Sequence, residues 1–268
     1  MPFSERIQKE ATPKRVYAFL KLVEYKEMTK SELEKYLQPK ALQNKELSKA
    51  NNTPFTSVYS FVEKANLIEV DKYFGETITL KNIESDDLKD WDSYRKFMSK
   101  LLLSNENSNF LKFTSWYLQQ EKEVFNYSSS EDIQKHLSGD IGVLIEGDIL
   151  GWRFWASFLG IGFLSGGIII PNTYLRIKDA IEEDTTIQRD VEIPFEDFIK
   201  KILVRCKEFK SCINGNNINF GISNGLRTLH DKKLIQLIKT NDSTEVWHLY
   251  RTEHEILEDV TSIKINRW

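Results

Sequence analysis

The side chains able to do covalent or metal chemistry are few and scattered. Cys206 and Cys212 stand on either side of an expected helix end, and His136, His230, His248 and His254 share no common spacing. Neither a C-x-x-C nor an H-E-x-x-H pattern occurs, so no metal site is expected, and Cys206 reads as a buried core thiol. The glycines Gly160-x-Gly162-x-x-x-Gly166 fall one residue off the dinucleotide-binding fingerprint. They also close an apolar helical stretch where that fingerprint would open one, so a helix C-cap and close packing explain them. No Gly-Lys-Ser/Thr loop is present for cradling phosphates. The acidic runs Asp86-Asp87 and Glu182-Glu183-Asp184 lie in charge-rich connectors, where solvation is the ordinary role. No nucleophile, base and orienting group fall together. The expectation is a protein with no catalytic centre, cofactor or metal.

What remains is recognition chemistry. Thr53, Thr56, Ser57, Ser60 and Lys64 recur on one side of a helical stretch and follow Lys49, Asn51 and Asn52. Short hydroxyls and amides reach phosphates and base edges, and lysines add sequence-independent attraction, so these residue types suit a reader of the DNA major groove. Lys72 and Tyr73 with Gly75 occupy a turn nearby, suited to a phosphate or minor-groove contact. A second set near the C-terminus has the same character: Asn219, Ser223, Asn224, Arg227, Thr228 and Lys232.

The elements that must position these residues follow from periodicity. Val16, Phe19, Leu20 and Val23 give a first helix after Pro13. Thr29 and Glu32 are spaced as a capping box opening a short second helix. Phe55, Val58, Tyr59 and Val62 define the apolar face of a third, begun at Thr53-Pro54. Leu67–Val70 and Thr77–Leu80, joined by a turn containing Gly75, read as a hairpin. This order over residues 12–81 resembles the winged helix-turn-helix family, most closely in the passage from Val58-Tyr59 to Asn66-Leu67-Ile68-Glu69.

The order repeats. A shift of 167 positions lays Tyr59 on Leu226, Val62 on Leu229, Leu67 on Leu234 and Ile68 on Ile235. In this C-terminal copy, Phe195–Phe209 is expected as the first helix, Ser211–Asn217 as a short helix or a loop, and Leu234–Ile238 with Val246–Leu249 as the hairpin. The middle reads similarly: helices over Asn109–Glu121, Ser130–Leu137 and Ile149–Leu164, then strands Ile168–Ile170 and Tyr174–Ile177 turning at Pro171-Asn172. Trp91–Leu103 reads as a linker helix. Trp152, Phe154, Trp155, Phe158, Leu159 and Phe163 surround the middle helix, which is therefore expected as a buried hub or, through Trp152, Trp155 and Phe158, as a surface for partner subunits. The uncharged run Phe154–Ile170 is too short and glycine-rich to span a bilayer.

The fold class expected is mostly α (α+β), with tandem winged-helix domains carrying small β-hairpin wings around an aromatic-rich helical middle. The boundaries are 1–82, 83–178, an acidic linker 179–194, and 195–268. With 268 residues, 40% hydrophobic and 29% charged, the chain can bury a core, which excludes a disordered tail or a fibre. Basic and acidic residues number 14 and 11 over 1–82, 11 and 19 over 83–194, and 12 and 10 over 195–268. Double-stranded DNA should therefore meet the ends and avoid the middle. The opening MPFSERIQKE lacks a signal-peptide pattern, and with two cysteines a cytoplasmic location is expected.

In chain length, element order and a Trp/Phe-rich middle closing at Ile170-Pro171, the sequence is similar to the DpdG-like accessory proteins of bacterial DNA-modification and phage-defence clusters. That resemblance implies a non-catalytic protein that docks on DNA and positions it for partner enzymes. Two other readings stay open: a protein-interaction scaffold, and a ligand-responsive transcription regulator whose aromatic middle holds the effector.

Overall fold

The computed structural model describes residues 6–38, 54–71, 76–137, 141, 144–242, 245–253 and 257–268. Helix predominates and the strands form small sheets. Two compact units result: one from Met1–Leu102, Ser108–Phe110 and Gly142–Trp155, the other from Leu103–Asn107, Leu111–Ile141 and Ala156–Trp268. The segment 83–178, expected as one central domain, is divided between them.

In the first unit, α1 (Pro13–Tyr25) is followed by β1 (Met28–Thr29), α2 (Lys30–Leu37), α3 (Pro54–Lys64), β2 (Ile68–Asp71) and β3 (Thr77–Leu80). Pro13 sits in the first turn of α1, where its missing N–H costs nothing. The capping box at α2 forms as its spacing predicts, with Thr29 and Glu32 each accepting the other's backbone N–H. The three strands lie antiparallel in the order β1-β3-β2, with Val70 opposite Ile78 and Met28 opposite Ile78 on the other side. Phe19 of α1 meets Phe55 and Tyr59 of α3 at ring distances of 6.2 and 6.3 Å. Leu20, Leu33, Val62 and Ile78 complete that core, all fully buried. After α4 (Ser85–Leu88) comes α5 (Trp91–Leu103), expected as a linker. It packs on α1: Tyr94 lies 4.9 Å from Tyr17, and its buried hydroxyl donates to the Pro13 carbonyl.

The remaining helices of the middle are α6 (Asn109–Gln119), α7 (Ser130–His136) and α8 (Glu146–Phe158). The next hairpin is β4 (Gly162–Ser165) with β5 (Ile168–Pro171), turning at Gly166-Gly167. The expected strand Tyr174–Ile177 is instead the start of α9 (Tyr174–Glu183). Asn172 accepts the Tyr174 N–H to open the helix, and Ile177, Ala180 and Ile181 recur at helical spacing on its buried side. The acidic run read as a linker from 179 onward therefore begins inside a packed helix, and Asp179 is buried.

The second unit continues with β6 (Glu192–Pro194), α10 (Phe195–Arg205), a 3₁₀ turn (Lys207–Cys212), β7 (Ile213–Asn214), β8 (Asn217–Ile218), α11 (Phe220–Asp231), β9 (Ile235–Ile238), β10 (Trp247–His248), β11 (Asp259–Val260) and β12 (Ser262–Ile265). The expected hairpin of residues 234–238 with 246–249 does not form. β9 pairs with β12, placing Leu237 opposite Ile263 and Ile235 opposite Ile265, all buried. β10 pairs with β8 and β11 in a separate sheet of order β11-β10-β8-β7. The alternation of Ile263 and Ile265 matches that of Ile235 and Leu237, whereas Trp247-His248 offers one apolar residue.

The repeat survives in a shifted frame. α9, β6, α10, α11, β9 and β12 reproduce the order helix, strand, helix, helix, strand, strand, and the sheet β6-β12-β9 again places the last strand between the other two. The C-terminal copy thus opens at α9, ahead of the expected boundary at 195. Each third helix also ends alike. Asn66, Gly160 and Lys233 have φ of 58°, 76° and 59°. The following amides of Leu67, Ile161 and Leu234 donate five residues back, to Val62, Ala156 and Leu229, at 2.9 to 3.0 Å. That is a Schellman cap used three times to turn a helix into a strand.

Candidate functional site

The expected DNA-reading residues of the first unit that fall in the described region lie on α3. Its first turn is held by Gln38, whose side-chain oxygen accepts the Phe55 N–H at 3.2 Å, satisfying a helix-end donor. Thr56 and Lys64 are exposed and Ser60 is half-buried, so these three share an accessible side. Ser57 is buried at 5% exposure, a correction to its expected place on the outer ridge: it is followed directly by the core residues Val58 and Tyr59 and turns inward with them. Phe61 also turns inward, stacking on Trp155 at 5.1 Å. The exposed Lys30, first residue of α2, carries its ammonium 4.0 Å from the Tyr59 ring and adds a cation beside α3. Sequence reasoning missed it, because periodicity within α2 says nothing about the neighbouring helix. Burial, followed by the charges of Glu63 and Glu76, pushes the Tyr59 phenol upward, so that hydroxyl stays protonated. Lys49, Asn51, Asn52, Thr53, Lys72, Tyr73 and Gly75 lie outside the described residues.

The second set of candidates has a different fate. α11 is buried along nearly its whole length. Ser223 is 0% exposed, its hydroxyl donating to the Ile218 carbonyl and accepting the Tyr250 N–H. Arg227 is 4% exposed and donates to the carbonyls of Tyr250 and Leu257. Asn219 caps the helix by accepting the Ile222 N–H and donates to Leu118. Asn224 donates to the Pro171 carbonyl, and Thr228 accepts from Asn172. Lys232 alone of the set is exposed, 5.6 Å from the Tyr174 ring. The expectation of an outward polar ridge here fails for a physical reason. The polar groups meet partners that other segments bring over the helix, Ser223 and Arg227 from the stretch between β9 and β12, Asn224 from β5, Asn219 from α6 and Thr228 from the Asn172 side chain, so the helix is a polar-lined core element. Gly221 and Gly225 permit that approach: a Cβ at Gly225 would stand 2.7 Å from the Thr173 hydroxyl.

The aromatic middle is only partly interior, since Phe154 and Phe163 are exposed at 40% and 48%, a correction to the expected buried hub. Trp152 and Trp155 are 0% exposed, so neither is available to a partner subunit, and only Phe158 of the three keeps partial exposure. The indole N–H of Trp155 donates to the Ala11 carbonyl at 2.7 Å. The helix α8 stops at Phe158, and among the described residues no helix is long and apolar enough to cross a membrane.

The second unit also holds a cleft of about 540 Å³, which no sequence motif marks. Asn214 and Asn217 on the β7-β8 turn, His248 and Tyr250 line one side, and Gln119 and Glu121 another. His248 Nδ1 lies 2.9 Å from Asp259 Oδ1. Glu121 has a left-handed backbone, φ 52°, and burial raises its carboxyl above the ordinary value, opposed by the Phe220 N–H. Cys212 at the cleft wall is buried, its thiol pushed up to about 12 by desolvation, and Cys206 is shifted upward for the same reason, so neither offers a thiolate near neutrality. Among the described residues no group of three or more His, Cys, Asp or Glu side chains could hold a metal.

Repeated helix-strand units with small antiparallel sheets, one exposing its third helix and one covering it, define a helix-rich mixed α/β protein. The chain belongs to the DpdG-like family, whose model matches residues 7–206. No curated protein and no solved structure matches it.

Proposed function

We propose that this chain is a non-catalytic winged-helix adaptor that docks on double-stranded DNA through the first unit, as an accessory subunit of a bacterial DNA-modification or phage-defence system. The observation that carries the reading is α3, packed on α1 and leading into β2 of the β1-β3-β2 sheet, with Thr56, Ser60 and Lys64 on its accessible side. A third helix so placed is the element that enters the major groove in helix-turn-helix proteins. Membership of the DpdG-like family supports the accessory role. The C-terminal copy of the same topology, its third helix covered, serves as scaffold in this reading.

The test is binding of a fluorescent duplex at several salt concentrations. Counterion release gives a slope of about −0.9 per phosphate neutralised. Lys64→Glu combined with Lys30→Glu should reduce both affinity and slope while leaving the circular dichroism spectrum unchanged. Wild-type-like retention by that variant removes α3 from the DNA interface, and absence of any salt slope in the native protein favours a protein-interaction scaffold instead.

The cleft supports a second reading, a ligand-responsive regulator, with the effector held there and not in the aromatic middle. Its volume lies in the range of small-molecule sites. A shift in melting temperature in a metabolite screen, lost in Asn217→Ala with Tyr250→Ala, is its test.

A further inference from the structure

The hairpin of β4 and β5 has one covered edge and one open edge. Tyr117 closes the β5 side: its hydroxyl donates to the Ile169 carbonyl at 2.9 Å and accepts the Ile169 N–H at 3.1 Å. Ile169 therefore directs both backbone groups away from β4. Residues directly opposite in an antiparallel ladder share this orientation, so Leu164, the partner of Ile169, directs its N–H and C=O away from β5. Among the described residues those groups have no partner. The flanking side chains are apolar and open to solvent, Phe163 at 48% and Leu164 at 41% exposure. At the tip, Gly166 stands clear, with nothing within 4 Å of where its Cβ would lie.

Folded proteins commonly blunt such an edge with lysine, proline or a bulge. Here the whole run from Phe154 to Ile170 holds no charged residue, and β4 contains no proline. A nucleic acid would find no cation on this strand. A strand equally free of charge would meet it without desolvating an ion, and β4 itself is such a strand. About a two-fold axis through Leu164, two copies set Leu164 opposite Leu164 and Phe163 opposite Ser165, an isologous antiparallel pairing in which the outward N–H and C=O of each Leu164 satisfy the other. We infer that the open edge of β4 is a homodimerisation surface, joining two copies of this chain into a four-stranded antiparallel sheet.

The experiment is light scattering coupled to gel filtration over a concentration series of the full chain, with amide exchange of Leu164 followed by NMR. The mass should rise from 31.4 kDa toward twice that value, and Leu164→Glu should restore 31.4 kDa with an unchanged circular dichroism spectrum. In the native chain the Leu164 amide should exchange more slowly as concentration rises, a readout that needs no variant to fold. A mass of 31.4 kDa throughout, a dimer that Leu164→Glu leaves intact, or a Leu164 amide whose exchange ignores concentration each overturns the proposal. So does a monomer that captures an unrelated extended peptide on this edge.

Discussion

Arg227 and Leu257 are joined twice, the guanidinium Nε and Nη2 donating to the same Leu257 carbonyl at 3.3 and 2.8 Å. With the further bond to Tyr250, the side chain ties α11 to the segment between β9 and β12. A residue whose type suggests DNA contact therefore acts as an internal clamp. Arg227→Ala should destabilise the chain by roughly 1.5–3 kcal/mol, the cost of losing hydrogen bonds to a charged donor and stranding buried carbonyls. Lys232→Ala, five residues on and exposed, should change stability by less than about 0.5 kcal/mol. Urea melts of the two variants check the contrast, and equal effects would contradict it.

Close approach to α11 and α8 depends on two glycines. A Cβ at Gly225 would lie 2.7 Å from the Thr173 hydroxyl and 2.9 Å from the Tyr174 nitrogen, and one at Gly160 would lie 2.6 Å from the Leu175 Cβ. Gly160 also has φ +76°, which penalises any side chain. Gly225→Ala should cost about 1–3 kcal/mol by overpacking. Gly160→Ala should cost more, because strain adds to crowding. The order of the two midpoints in thermal melts is the check.

Trp155 contributes through both its ring and its indole N–H. It is fully buried, stacks on Phe61 and donates to Ala11. Trp155→Ala should cost about 3–5 kcal/mol. Trp155→Phe keeps an aromatic ring but strands the Ala11 carbonyl, with an expected loss of about 1–3 kcal/mol. Equal losses in chemical denaturation would mean that the hydrogen bond contributes nothing measurable.

Asp259 gives the fold a defined response to acid. Hydrogen bonds from Lys239 and then His248 hold its carboxyl below the ordinary carboxylate range. A depressed folded value adds stability above the unfolded value of about 3.9, and that stability is lost as pH falls through the folded value. Asp259→Asn should therefore lower the melting temperature at neutral pH and converge on the native chain in strong acid. A gap that persists unchanged at low pH would show that the carboxylate charge is not the cause.

Much of the first unit was legible in the sequence. The periodic apolar residues Val16, Phe19, Leu20 and Val23, the Thr29–Glu32 capping box and the alternation of Leu67–Val70 and Thr77–Leu80 are local signals, and each formed the element it predicts, the first strand one residue later at Ile68–Asp71. The 167-residue repeat was equally visible, since it rests on side chains that the same helix-to-strand turn must bury, from Val62 and Leu229 to Ile68 and Ile235. Which strands pair was not legible: Leu237 chose Ile263, 26 positions away, over the nearer Trp247, a decision made by matching of buried faces.

The candidate sites divide along the same line. Residue type marked Ser60 and Arg227, which occupy equivalent positions of the repeat, as groups suited to DNA, and the type is all that a sequence states. Whether such a polar side chain faces solvent or a backbone carbonyl depends on which distant segment crosses its helix. For Arg227 that is the stretch ending at Leu257; for Ser60 the side remains partly open. Local free energies set the helices, caps and turns, while burial of α11 arose only when chain remote in sequence supplied acceptors for its polar groups.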